Sequence, residues 1–113
     1  MMDLQFIKIK IEEQIAVLTL DNPPVNILTP KVIEEIDSVF RELEDNPQVK
    51  VIVFTSAGAN AFIAGADIKV IGQIHSAAEA EKLALMGQGV FSRIENSKKV
   101  TIAAIHGVCV GGG

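Results

Sequence analysis

The chain has 113 residues, a formal net charge of −4 and 49% hydrophobic residues. This length and composition suit one modest globular domain with a buried core, and they exclude a disordered chain. The ten basic residues are scattered, and Lys98-Lys99 is the only adjacent pair. Because no basic patch is present to meet a phosphate backbone, we expect no nucleic-acid partner.

The core must be built mainly from aliphatic side chains. Aromatic residues make up 4% of the chain, with no Trp and no Tyr, which favours an α/β fold in which helices cover a sheet. A single cysteine, Cys109, excludes an internal disulfide and is compatible with a reducing compartment, so the expected location is the cytoplasm. We expect neither a signal peptide nor a membrane span, because the apolar runs are short.

The first elements are a hairpin and a loop rich in proline. Residues 7–11 alternate isoleucine with lysine, and residues 15–20 form a second apolar run, which together predict two antiparallel strands. Residues 21–24 (Asp-Asn-Pro-Pro) end the second strand, because proline has no N–H for the ladder and restricts the residue before it. We therefore predict a rigid loop after the hairpin.

A helix and a strand follow this loop. Thr29 supplies an N-cap and Pro30 a first helical residue, and apolar residues recur at helical spacing until the Asn46-Pro47 pair. Val49 to Phe54 is a continuous apolar, β-branched run, which predicts a strand at the centre of the sheet with both faces covered.

The second half of the chain again predicts a loop, a helix and a strand. Residues 56–66 predict a loop of small residues, and Asp67 is suited to cap a short helical turn toward Ile71. Residues 76–79 (Ser-Ala-Ala-Glu) predict a capping box at the start of a long second helix. Lys98-Lys99 follows it, where cations suit a helix C-terminus, and residues 100–105 predict another buried strand.

This order of elements predicts one mixed α/β domain over residues 1–113. The sequence ends in three glycines, which normally lead into a further element, so we expect the domain to continue beyond the sequence given. We also expect exposed apolar surface where further units would pack, and self-association of the isolated chain.

Two segments rich in small residues carry the functional case. Residues 61–69 (AFIAGADIK) place alanine and glycine where a backbone could approach a ligand closely, and residues 107–113 (GVCVGGG) do so directly after a predicted strand. Backbone N–H groups that converge from two such segments would form an oxyanion hole.

These two segments, in this order and together with DNPPVN upstream, resemble the enoyl-CoA hydratase/isomerase (crotonase) family. Either glycine segment alone would be weak evidence, but all three fit the N-terminal portion of that family over the whole chain. The resemblance implies the N-terminal part of a spiral of ββα units and an acyl-CoA thioester as substrate. Coenzyme A is then part of the substrate, and no separate cofactor is expected.

The resemblance also implies roles for individual residues. The backbone N–H groups of Ala66 and Gly112 would hold the thioester oxygen. Backbone groups around Ala64 and Ile68 would read the adenine, and Lys69 would meet the phosphates. The remaining expected CoA-binding residues are Val25, at the entrance, and Asp67, which could equally be a helix N-cap.

Family hydratases carry one glutamate soon after the triple glycine and a second farther on, and neither position exists here. The likeliest reaction of a whole enzyme is hydration of 2-enoyl-CoA to 3-hydroxyacyl-CoA in fatty acid β-oxidation, with the 113 residues alone nearly inert. The alternatives are another activity of the family, such as isomerisation, or a non-catalytic acyl-CoA binding module. The family also implies homo-oligomers of the full-length protein, as trimers or pairs of trimers.

The histidines, the cysteine and the glycine run suggest no further site. His75 and His106 lack partners at metal-ligand spacing, so a surface position near a helix cap and a strand end are the better interpretations, and no metal is expected. Cys109 has no recognisable base and is expected to pack in the interior. A phosphate loop of a nucleotide-binding domain is a weaker alternative for the glycines, because no complete pattern of that kind is present.

Overall fold

The computed structural model describes residues 3–65 and 71–113. In chain order, the elements within these ranges are β1 (Ile7–Glu12), β2 (Ile15–Leu20), α1 (Pro30–Glu44), β3 (Val51–Ser56), β4 (Ala61–Ile63), α2 (Ala77–Glu95), β5 (Val100–Ala103) and β6 (Val108–Cys109). The predicted mixed α/β class is confirmed.

The larger sheet has the strand order β1-β2-β3-β5. Strands β1 and β2 are antiparallel with Ile7 opposite Leu20, which confirms the predicted hairpin. The pairs β2-β3 and β3-β5 are parallel. Parallel neighbours need a long crossover, and the connections that contain α1 and α2 provide it. A second, small sheet pairs β4 with β6 in parallel, and the sequence analysis did not predict these two strands.

Helix α1 forms the main core with one face of the larger sheet. Thr29 is its N-cap, and the Thr29 hydroxyl accepts a hydrogen bond from the Val32 N–H at 3.1 Å. The Phe40 ring packs against Phe54 of β3 with a centroid separation of 6.0 Å. The five buried side chains of the helix are Val32, Ile36, Val39, Phe40 and Leu43. They form one core cluster with apolar residues of the strands, which include Ala16, Leu18, Leu20 and Ile52.

Helix α2 begins as predicted at Ser76, whose hydroxyl accepts from the Glu79 N–H at 3.1 Å. The capping box is only half right, because the Glu79 carboxylate accepts from the His75 N–H at 3.5 Å instead of from Ser76. Among the helix's own residues, only Val90 is buried. Most of the predicted apolar face of α2 is therefore exposed or half-buried.

Lys99 stabilises the end of α1, whereas its position in the sequence predicts a role at the end of α2. Its ammonium donates to the carbonyls of Leu43, Asn46 and Val49 at 2.8, 2.6 and 2.7 Å. The tertiary fold brings these carbonyls, which close α1 and lead into β3, next to the start of β5. A cation is favourable there because it meets carbonyls at a helix C-terminus.

Two strand predictions need correction. The strand predicted at residues 49–54 is an interior strand as expected, but it runs from Val51 to Ser56 and its second face is only half-buried. The strand predicted at residues 100–105 ends at Ala103 and lies at the sheet edge, where the Val100 side chain is 59% exposed. Its apolar sequence suits burial, but among the described residues only β3 pairs with it.

Candidate oxyanion site

The small β4-β6 sheet brings the two glycine segments together. The Val108 N–H donates to the Asn60 carbonyl at 3.0 Å, and the Val110 N–H donates to the Ile63 carbonyl at 3.1 Å. Because the two strands are parallel, their carboxyl ends leave the sheet at the same edge. Residues 64–65 therefore lie beside the triple glycine (Gly111–Gly113).

Side chains on Gly111 and Gly112 would be crowded where these segments meet. Gly111 has φ +56°, a left-handed conformation that favours glycine, and a Cβ there would lie 3.3 Å from the Gly65 Cα. A Cβ on Gly112 would lie 2.6 Å from Cδ1 of Leu28, so that side chain would have to move. Close approach therefore favours glycine at positions 111 and 112, as the sequence predicts.

The proline loop (residues 22–28) is the third segment at this site. The Ala64 N–H donates to the Val25 carbonyl at 3.2 Å, and the Leu28 N–H donates to the Gly65 carbonyl at 2.8 Å. The peptide bond between Pro23 and Pro24 is cis. The loop therefore holds the backbone of residues 64–65 by one hydrogen bond on each side.

Asn26 anchors this loop, which the sequence alone does not indicate. The side chain is 3% exposed, and its Oδ1 accepts from the Asn22 N–H at 2.9 Å. Its Nδ2 donates to the carbonyls of Ala57 and Ala61, both at 3.0 Å. Its φ is +56°, a left-handed conformation that asparagine tolerates better than most residues other than glycine. The only signal in the sequence is therefore the residue type, an asparagine in a loop rich in proline.

An apolar cavity of about 390 Å³ lies on one side of the triple glycine, between the two helices and strands β3 and β5. Among the described residues that line it, none is acidic. The lining residues are Leu28, Ile36, Phe54, Phe62, Ile63, Phe91, Ile94, Thr101, Ile102, Ala103, Gly112 and Gly113.

The structure thus brings three of the predicted site residues together, namely Val25, Ala64 and Gly112. Within residues 3–65 and 71–113, no backbone carbonyl accepts a hydrogen bond from the Gly112 N–H. The other predicted residues, Ala66, Asp67, Ile68 and Lys69, lie outside the described residues, as does most of the predicted turn toward Ile71.

Within residues 3–65 and 71–113, the two histidines and the cysteine belong to no group of metal ligands. His75 is exposed just before α2, and the His106 Nε2 is 2.8 Å from the Gly58 carbonyl, which links the loops that precede β4 and β6. Cys109 is half-buried and pairs with Ile63 across the small sheet. In the described part of the chain, no three His, Cys, Asp or Glu residues are placed to hold a metal ion. No helix there is long and apolar enough to cross a membrane.

This arrangement agrees with comparisons to known proteins. The sequence profile described as enoyl-CoA hydratase/isomerase matches residues 10–113. The chain belongs to the enoyl-CoA hydratase/isomerase family. It is 42% identical over 104 residues to the fatty acid oxidation complex subunit alpha of Idiomarina loihiensis, covering 90% of this chain and 15% of that protein. It is 44% identical over 107 residues to the protein of the same name from Aliivibrio fischeri, covering 92% and 16%.

Solved structures give the same result for the fold. An enoyl-CoA hydratase from Bacillus anthracis superposes with a TM-score of 0.89 at 25% identity, over 96% of this chain and 43% of that one. An enoyl-CoA hydratase/carnithine racemase from Magnetospirillum magneticum superposes with a TM-score of 0.90 at 28% identity, over 97% and 42%. The expected crotonase fold, N-terminal portion, is confirmed. The chain spans about one sixth of the length of the curated relatives and about two fifths of these structures.

Proposed function

We propose that this chain binds an acyl-CoA thioester and polarises its carbonyl through two backbone donors, the N–H groups of Ala66 and Gly112. The observation that carries the proposal is the β4-β6 pairing, which places residues 64–65 beside the triple glycine.

Two such donors would act on the charge that develops during reaction. As the thioester becomes enolate-like, negative charge moves onto its oxygen, and fixed N–H groups stabilise that charge more than they stabilise the neutral carbonyl. Loss of one donor of this kind typically costs roughly 2.7–4 kcal/mol, or about 10²–10³ in rate.

The reaction that we propose for the whole enzyme is hydration of 2-enoyl-CoA to 3-hydroxyacyl-CoA in fatty acid β-oxidation. The family and the names of the two curated relatives support this reaction. The last carboxylate side chain in the sequence is Glu95, well before the triple glycine. We expect the 113 residues to polarise the thioester without hydrating it, because a positioned acid or base contributes about 10²–10⁴.

A non-catalytic acyl-CoA binding module is the second candidate. It needs only the backbone groups and the apolar cavity beside Gly112, and no acid or base. Acyl-CoA affinity without turnover, in a protein that extends past the triple glycine and carries both glutamates, would select this candidate over the hydratase.

The test is a calorimetric titration of the 113-residue chain with crotonyl-CoA, followed by infrared spectroscopy with a ¹³C-labelled thioester carbonyl. We expect saturable binding and a bound carbonyl band at lower frequency than in water. The Gly112→Ala variant should reduce both, because its new Cβ meets Leu28. The matched control is Gly89→Ala in α2, where a Cβ meets no atom within 4 Å. Absence of binding, or an unshifted band in the bound ligand, would contradict the proposal.

A further inference from the structure

We infer that one face of the larger sheet binds a second copy of this chain in a two-fold symmetric dimer. This face is the one turned away from α1, and we call it the outer face. The residues that form it lie within the described part of the chain, and none is a predicted residue of the oxyanion site. The inference is therefore independent of the proposed function.

The outer face is apolar on three neighbouring strands. Ala16, Leu18 and Ile52 belong to the core beneath α1, and residues on either side of them along each strand point the opposite way. These outward residues on β2, β3 and β5 are all β-branched aliphatic side chains, and none belongs to the core cluster or to the residues packed against it. They are Ile15, Val17, Val51, Val53, Val100 and Ile102.

An apolar face of this kind is normally covered. Strands β2, β3 and β5 are parallel, and parallel strands typically have both faces packed against other elements. Ile15, Val100 and Ile102 are nevertheless exposed, at 41%, 59% and 47%. A contiguous apolar surface on a folded chain is typical of a binding site.

The ladder register arranges the outer face in rows that run across the strands. Each of two adjacent rows has a charged residue on β1 and aliphatic residues on the other three strands. The next row, formed by Lys8, Thr19 and Thr55, is polar and limits the apolar area. The first apolar row consists of Glu12, Ile15, Val51 and Val100, and the second of Lys10, Val17, Val53 and Ile102.

The charged border of the two rows is balanced. The Lys10 Nζ lies 3.5 Å from the Glu12 Oε2, and the two side chains are 76% and 73% exposed. Lys8 pairs with Asp21 at 3.1 Å. The two apolar rows therefore carry one positive and one negative charge, so that no net charge opposes the meeting of two such surfaces.

One symmetry operation makes this surface complementary to itself. A two-fold axis that runs midway between the two rows, across the strands, places the first row of one copy opposite the second row of the other. Aliphatic side chains then meet aliphatic side chains along both rows, and Lys10 of each copy lies opposite Glu12 of the other. An interface of this type uses the same patch on both copies, and the side chains of two facing sheets interdigitate.

The charges exclude the other way of stacking the two faces. A two-fold axis parallel to the strands would place β1 of one copy over β5 of the other. Lys10 and Glu12 would then lie on Ile102 and Val100, where a charge loses water without gaining a partner. Charge complementarity therefore selects the axis across the strands. Because the apolar area is small beside a standard interface of about 800 Å² per partner, we expect a dimer that dissociates on dilution.

Charge reversal tests this arrangement without a change to the core. Lys10→Glu makes both border positions acidic, and Glu12→Lys makes both basic, so each variant alone would oppose like charges across the axis. We expect each to dimerise roughly tenfold more weakly than the wild type. An equimolar mixture of the two variants should recover the dimer, because an acidic border then faces a basic one.

A second pair of variants tests the apolar rows. Val53→Lys introduces a charge into the middle of the second row, and we expect it to abolish dimerisation. The matched control is Leu85→Lys in α2, which packs on the opposite side of the sheet and where the side chain is 58% exposed. This control should dimerise like the wild type.

The measurement is sedimentation equilibrium of the 113-residue chain and its variants from micromolar to near-millimolar concentration, with circular dichroism to confirm that each variant is folded. We expect a monomer–dimer equilibrium for the wild type. A wild type that stays monomeric throughout would overturn the inference. So would a mixture of the two charge variants that associates no better than either alone, because the association would then belong to another surface.

Discussion

Helices α1 and α2 both begin after a hydroxyl N-cap, Thr29 and Ser76, but they differ in how much they bury. Five side chains of α1 are buried, whereas α2, although longer, buries only Val90. The apolar cavity of about 390 Å³ lies between them, and Phe91 of α2 borders it and is 39% exposed, whereas Ile94 packs, partly buried, against the core. Helical periodicity therefore shows which face suits burial, and the packing partners determine whether that face is buried.

Polar contacts join α2, and the segment that follows it, to α1. The Arg93 Nε of α2 is 3.0 Å from the Asp37 Oδ1 of α1, and Asp37 also pairs with Arg41 through its second oxygen. Just past α2, the Lys99 ammonium binds three carbonyls at the end of α1. We therefore expect α1 to respond most to loss of apolar volume, and the junction with α2 to loss of polar groups.

The largest expected effect is at Phe40, which is fully buried and packs on Phe54. Phe40→Ala should lower the free energy of unfolding by about 3–5 kcal/mol, measured by urea denaturation, because it leaves a cavity in the core. The comparison variant is Phe91→Ala in α2, where the ring is 39% exposed. A loss for Phe91→Ala as large as that for Phe40→Ala would show that α2 is as well packed as α1.

Lys99 should give the next largest effect. Lys99→Met keeps most of the aliphatic chain and removes the ammonium from three carbonyls, so we expect a loss of about 1.5–3 kcal/mol in the free energy of unfolding. The neighbouring Lys98 is exposed, and Lys98→Met should change stability by no more than about 0.5 kcal/mol. Equal effects for the two variants in urea denaturation would mean that the three hydrogen bonds add nothing.

The smallest expected effect is a gain of stability in α2. Gly89 lies inside the helix and is exposed, and a Cβ there meets no atom within 4 Å. Gly89→Ala should therefore raise the free energy of unfolding by about 0.5–1 kcal/mol through helix propensity alone. A decrease in thermal or urea stability would indicate that this face of α2 is covered by another surface, such as a second copy of the chain.

The sequence was sufficient for the elements that have a period or a cap. It predicted the hairpin, both helices and the interior position of β3, because alternation, helical spacing and N-caps are local signals. It did not predict β4 and β6, which are too short to show a period. Lys99 was placed at the wrong helix, because its partners are set by tertiary structure.

For the candidate site too, some residues could be predicted from the sequence and others only from the fold. The resemblance identified Val25, Ala64 and Gly112, which the fold brings together, but the role of Asn26 depends on its burial and on carbonyls far along the chain. An asparagine in a loop is common and carries no such information by itself. Local patterns therefore identified segments that meet at the candidate site, and only the fold identified the side chain that anchors the proline loop there.

The most direct test of the central claim is the chemical shift of the Gly112 amide proton in a ¹⁵N-labelled chain. Titration with crotonyl-CoA should move this proton strongly downfield, because it would donate to the thioester oxygen. A thioether analogue of the same length, which has no carbonyl, should bind without that change. Equal shifts with both ligands, or no change at Gly112 while other amides respond, would contradict thioester polarisation by this residue.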